Sequence, residues 1–260
     1  MNMREKNHIR PVFFGMMAVL LFLTLPPLNG LAEELSLDLA SDTINITTFY
    51  NGTTLKASGT VPADADVVVE VSGPKKNVAL KVKGKVAGFL WMNKTDVELE
   101  NTPAVYMVYT PAGLTTELEK LGAGYQALVN HIAIEPESAD KAFVFAEYVK
   151  LMEKAGVYAI NKDAISYTPA DNGRKTYALN MNIPPKMNAG DYTVRALAVR
   201  QGKVIDQAEQ KLHVQLTGLP KFIARLAFGH SLLFGIMAVV IAVAAGLIIG
   251  MLFKGGGGAH

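Results

Sequence analysis

The chain has 260 residues, 25 Lys and Arg against 23 Asp and Glu, a formal net charge of +2 and no cysteine. Without cysteine it can form no disulfide, thiolate nucleophile, thiolate zinc site or lipid-acylated cysteine. The near balance of charge leaves no broad basic surface, so no nucleic-acid partner is expected.

Met1 to Arg10 carries Arg4, Lys6 and Arg10 against Glu5, and the stretch from Pro11 to Leu28 is uncharged. Pro26-Pro27 then breaks the chain before Gly30-Leu31-Ala32. A cationic start, a short apolar core and small residues at Gly30 and Ala32 predict a secretory signal peptide over residues 1–32. An uncleaved anchor helix is the alternative. Both readings put the chain from Glu33 to about Leu219 outside the cytoplasm.

Residues 33–112 read as a β-sandwich region. Leu35 to Leu39 alternates, Thr43 to Tyr50 is β-branched and aromatic, and Asn51-Gly52 is a turn signal. Further strands are expected over Thr53 to Val61, Asp66 to Ser72, Asn77 to Val86 and Ala104 to Thr110. Three Asn-x-Thr tripeptides, at Asn45, Asn51 and Asn93, read as strand and turn residues of a bacterial chain.

Residues 113–156 change period and read as a helical insertion. Thr116-x-x-Glu119 suggests a capping box. Leu118, Leu121, Tyr125, Leu128 and Ile132 recur at helical spacing, with Gly122 and Gly124 as breaks. A firmer helix is expected from about Ser138, with Ala142, Phe145, Ala146, Val149 and Met152 on one face and Gly156 as its stop. Residues 157–217 return to strands. Tyr177 to Ile183, Gly190 to Val199 and Lys203 to Leu216 are expected, with a turn at Gln201-Gly202. A Gly-Asp-Tyr-Thr-Val strand start is like that of immunoglobulin-like sandwiches. The order of elements predicts a mainly β fold: immunoglobulin-like antiparallel sandwich or sandwiches with a helical insertion, plus one C-terminal transmembrane helix. Whether the two β regions make one domain or two is open at this level.

Residues 218–254 form the juxtamembrane segment and membrane helix, and residues 255–260 a flexible glycine tail. No Asp, Glu, Lys or Arg occurs from Leu226 to Phe253, longer than the roughly 20 residues a span needs. Lys221 and Arg225 flank it on what the signal makes the outer side, where long stems can reach headgroups. Ala238, Ala242, Gly246 and Gly250 recur every fourth residue, a spacing that clears a groove for close helix–helix packing.

Two other features could carry function. Lys81, Lys83 and Lys85 fall on one strand face and could bind an oxyanion or anionic headgroups. The plainer reading is an edge strand protected from aggregation by lysines. Trp91, the single tryptophan, could anchor a partner or sit in a sandwich core. For chemistry the sequence offers little. His131 is near Glu135 but Pro136 intervenes, His213 has no acidic neighbour along its strand, and His230 lies at the membrane edge. With no catalytic, metal or cofactor motif, no catalytic or metal residue and no cofactor is assigned, and the chain is not expected to be an enzyme.

The run from Gly73-Pro74 through Lys81, Lys83 and Lys85 to Gly88-Phe-Leu-Trp91-Met-Asn93, with the order of signal, β region, helices, β hairpin and single span, resembles the proteobacterial transmembrane family Alph_Pro_TM. The resemblance implies a single-span inner-membrane protein with a periplasmic domain and hints at a transporter as partner, while the cationic start puts the C-terminus, Lys254 to His260, in the cytoplasm. It implies no activity. The expected partners are the lipid bilayer and another membrane protein or a second copy of the chain. The expected role is an accessory, scaffolding or binding module, with sensing or binding of a small anion at the lysine-lined strand as the alternative.

Overall fold

The computed structural model describes residues 35–86, 89–169 and 173–253. The expected signal segment and the glycine tail lie outside them. The first strands in chain order are β1 (Asp38–Leu39), β2 (Thr43–Ile46), β3 (Thr53–Pro62), β4 (Asp66–Ser72), β5 (Lys75–Val86), β6 (Leu90–Pro103) and β7 (Tyr106–Thr110). Helix α1 (Gly124–Val129), β8 (Ala133–Glu135) and helix α2 (Lys141–Lys154) follow. Then come β9 (Tyr158–Lys162), β10 (Ile165–Pro169), β11 (Arg174–Ile183), β12 (Gly190–Arg200) and β13 (Lys203–Leu216). Helices α3 (Leu219–Gly229) and α4 (Ser231–Phe253) close the described chain.

Three sheets result. One has the order β1-β3-β11-β10, the second β2-β13-β12-β4-β7-β9, and the third β5-β6-β8. Strand β3 pairs with β11 and β4 with β12. The two β regions of the sequence therefore interleave in shared sheets.

The six-stranded sheet is covered on both faces, which explains why β4 does not alternate. Val67, Val68, Val69, Glu70 and Val71 are all buried, the pattern of a strand packed on two sides. The face of Val69 and its cross-strand partner Tyr109 looks at the four-stranded sheet, where the Tyr109 hydroxyl reaches the Asn182 carbonyl of β11 at 3.5 Å. The opposite face, carrying Glu70 and Ser72, is covered by the helical insertion. Four tyrosines form that second interface. Tyr106 and Tyr158 are register partners on β7 and β9. Tyr125 of α1 stacks on Tyr158 at 6.2 Å, and Tyr148 of α2 meets its edge at 5.8 Å.

The expected antiparallel pairing holds through the interior of this sheet and gives way at its edges. There β2 runs parallel to β13 and β9 parallel to β7. Parallel neighbours need a crossover of a dozen residues or more, and the helical insertion is the crossover between β7 and β9.

Several local expectations shift. The predicted capping box at Thr116 and Glu119 starts no helix. That stretch is turns, with Gly122 and Gly124 at φ +68 and +80, and α1 has only six residues. Helix α2 begins at Lys141, where the Asp140 carboxylate accepts from the Phe143 N–H at 3.1 Å. Its buried face is Val144, Phe145, Tyr148 and Val149 rather than one that includes Ala142 and Ala146. Rotation by one position exchanges two alanines for a valine and a tyrosine, and so buries more apolar area.

Candidate functional site

The most polar buried cluster lies where β4, β7, β12 and α1 meet. Glu70 and Arg195 are opposite each other in the β4–β12 register. Arg195 donates from Nη2 and, at 3.0 Å, from Nε to Glu70 Oε2. The Tyr106 hydroxyl donates to Glu70 Oε1 and accepts from the Gly124 N–H at 2.9 Å. The Glu70 side chain is only 5% exposed and that of Arg195 33%. Burial alone would lower the Arg195 guanidinium; the Glu70 carboxylate outweighs it and holds the group above its ordinary value. Burial first, and then the same carboxylate, raise the Tyr106 phenol. Tyr106 is thus held as a donor and Arg195 charged.

A cavity of about 380 Å³ adjoins this cluster and is also lined by Lys75, His131, Thr193 and Glu209. It mixes charges of both signs, and its one fork-shaped donor is already engaged by Glu70. The cluster joins two strands to the helical crossover. Among the described residues no three His, Asp or Glu side chains gather to hold a metal ion.

Glu70 and Arg195 are not among the residues that the sequence pattern singles out. The signal available for them is a single charge set among valines in Val67–Val71, and another in Val194-Arg195-Ala196. His213 is also better placed than its own strand suggested. Its cross-strand partner is Asp191, whose Oδ1 lies 2.7 Å from Nδ1, and both side chains are exposed.

Lys81, Lys83 and Lys85 share the exposed face of β5, an edge strand of its sheet. Lys81 faces Asp96 and pairs with it at 3.6 Å, an exposed contact worth about 1 kcal/mol at most. Lys83 faces Asn93, and Lys85 faces Trp91. Trp91 is in β6, a strand outside the expected set; its side chain lies outside what is described.

Helix α4 has 23 residues, none of them buried, and at about 1.5 Å per residue it is about 34 Å long, enough for a hydrocarbon core of roughly 30 Å. It is the one candidate membrane span among the described residues. Residues 34–255 match the family described as "Putative transmembrane protein (Alph_Pro_TM)". The chain belongs to this family. No curated protein matches it. The Alph_Pro_TM chain is thus a β-rich domain followed by one apolar helix suited to a lipid bilayer. Ala238, Ala242, Gly246 and Gly250 lie exposed along that helix.

Helix α3 precedes it and is separated by His230, whose backbone (φ −141, ψ 59) leaves the helical region. Leu219, Phe222, Ile223 and Leu226 fall on one face of α3, and the first three are largely exposed. Lys221 and Arg225 fall on the other face. An apolar stripe opposite cations is the form of a helix lying in a membrane–water interface.

Proposed function

We propose that this Alph_Pro_TM protein is a non-enzymatic accessory module of the bacterial inner membrane. Its β domain stands in the periplasm, α3 lies in the outer interface, α4 crosses, and the C-terminus is cytoplasmic. It acts by binding a membrane partner, either a transporter or a second copy of the chain, with the Ala238–Gly250 face of α4 as the contact. The observation that carries this reading is α4 itself: a span-length apolar helix without a buried residue, attached to a domain whose own polar cluster is internally satisfied. Small residues at every fourth position let a second helix approach closely. For the β domain we infer an immunoglobulin-like sandwich. The strand orders β1-β3-β11-β10 and β2-β13-β12-β4-β7-β9 support that inference. So does the Tyr192 hydroxyl near the start of β12, which donates to the Asn188 carbonyl at 2.9 Å as a tyrosine corner does.

The alternative role, capture of a small anion at Lys81, Lys83 and Lys85, draws less support, because Lys81 is exposed and paired with Asp96, although Lys81 and Lys83 border a cavity of about 460 Å³ between β5 and α2. The test uses the full chain with a C-terminal tag in intact spheroplasts. External protease should degrade the β domain and spare the tag. Mild-detergent extraction should then retain a stoichiometric membrane protein or a dimer. A chain found in the supernatant without detergent, or a tag cleaved from outside, overturns the reading.

A further inference from the structure

The β5–β6 hairpin is the distal half of one long ribbon. Between β4 and β5 the Gly73 N–H donates to the Val105 carbonyl at 2.8 Å, and the Ala104 N–H to the Pro74 carbonyl at 2.9 Å. The antiparallel pairing of β4 with β7 therefore runs without a gap into that of β5 with β6. Gly73 has no room for a side chain, since a Cβ there would sit 2.8 Å from the Tyr192 ring.

The direction of this ribbon follows from the sheet. Strand β4 is antiparallel to β12, and β12 to β13. So β4 and β13 run the same way, and β13 is the strand that leads into α3 and the membrane helix. Ser72, Thr193 and Lys211 are level across the three strands. From that level β13 continues five residues to Leu216, whereas the ribbon continues fourteen residues to Val86. At about 3.3 Å per residue the ribbon reaches up to about 30 Å further along its path than β13 does. The arm leaves the sandwich at the end where the membrane helix leaves it.

The chemistry of the arm changes along its length. Near its base Val97 and Leu99 are buried, and Leu80 and Val82 pack against the core. At its tip Phe89 is 80% exposed, Leu90 51% and Met92 48%. Between Lys81 and Asp96 the sequence carries Lys81, Lys83, Lys85 and Lys94 against a single carboxylate, Asp96. Exposed large apolar side chains at the end of a cationic ribbon are costly in water and suited to an anionic lipid interface.

We propose that the β5–β6 arm docks on the bilayer that α4 spans, with Phe89, Leu90 and Met92 entering the interfacial layer and Lys81, Lys83 and Lys85 held over anionic headgroups. The domain then has a lipid contact besides its C-terminal helices, and together they fix its tilt on the membrane. The inference rests on α4 crossing a bilayer, and not on the nature of any protein partner.

Trp91, the single tryptophan, falls by sequence between Leu90 and Met92 and is a native reporter. The full chain is placed in nanodiscs of phosphatidylglycerol and phosphatidylcholine, with or without bromine on the acyl chains near the headgroup. The expected result is several-fold stronger quenching of Trp91 in brominated discs. Quenching should fall by at least half in phosphatidylcholine alone and in the triple variant Lys81→Gln, Lys83→Gln, Lys85→Gln. It should be nearly abolished in Phe89→Ser with Leu90→Ser, whose near-ultraviolet circular dichroism outside the tryptophan band checks the fold. Equal emission with and without bromine overturns the proposal, as does quenching indifferent to both lipid charge and the lysines. A blue-shifted but unquenched Trp91 also overturns it, by placing the tip against protein. Failure of the chain to enter discs at all overturns the span itself and is distinguishable from these.

Discussion

Glu70 and Arg195 show how one cross-strand pair decides whether a strand can be buried. Each is the lone charge among apolar neighbours, and each is tolerable there because the other stands opposite in register. Tyr106 and the Gly124 N–H occupy the second carboxylate oxygen. Removing one partner leaves a buried carboxylate with only neutral donors. Arg195→Met is therefore expected to destabilise the domain by on the order of 3 kcal/mol. Glu70→Leu combined with Arg195→Met should cost less than Arg195→Met alone, because the stranded charge is then gone. Thermal melts of the full chain in detergent, followed by near-ultraviolet circular dichroism, measure both. A double variant less stable than the single one would show that the pair stabilises the fold beyond mutual neutralisation. The Lys81–Asp96 pair is a contrasting case. Both side chains are well exposed, and Asp96→Asn is expected to change stability by less than about 1 kcal/mol.

At the scale of elements, α4 separates cleanly from the rest. Its small residues Ala238, Ala242, Gly246 and Gly250 are exposed among the described residues, and a second helix could use them. Gly246→Leu and Gly250→Leu are expected to weaken helix association about tenfold, and Leu247→Ile to leave it unchanged, because only the first two fill the groove. A membrane two-hybrid signal unchanged in both glycine variants would remove the Ala238–Gly250 face from the proposed function. This helix was fully legible in the sequence, since an uncharged apolar run needs no tertiary context. So were β4 and β13, whose bounds the sequence placed at Asp66–Ser72 and Lys203–Leu216. Strand β6 was not: Asp96 to Glu100 alternates and buries Val97 and Leu99, but Leu90 to Thr95 carries no such period. It is a strand only because β5 supplies a partner along its length. The face of α2 and the Glu70–Arg195 pair were hidden for a related reason. Both depend on which layer covers the six-stranded sheet, and local periodicity does not encode that.

Across the whole molecule the tyrosines tie the layers together. They lie between the sheets at Tyr109 and Tyr177, and between sheet and helices at Tyr106, Tyr125, Tyr148 and Tyr158. Burial pushes Tyr109, Tyr167 and Tyr192 up to about 12, and it is also the first cause of the raised values at Tyr106, Tyr125, Tyr158 and Tyr177. The sign of the linkage follows. Below about pH 10 these phenols keep their protons in both folded and unfolded chains and cost nothing. Above it the unfolded chain releases protons that the folded chain retains, so stability falls as pH rises from about 10 to 12. For a buried phenol such as Tyr109 the loss is about 2 kcal/mol by the top of that window. Several such groups together exceed the 5–15 kcal/mol that holds a typical domain. Tyrosinate absorbance of the full chain in detergent is therefore expected to rise in one steep step above pH 11, together with loss of the near-ultraviolet circular dichroism. A gradual titration centred near pH 10 with the dichroism intact would mean that the tyrosines are wet and the layers are not packed through them.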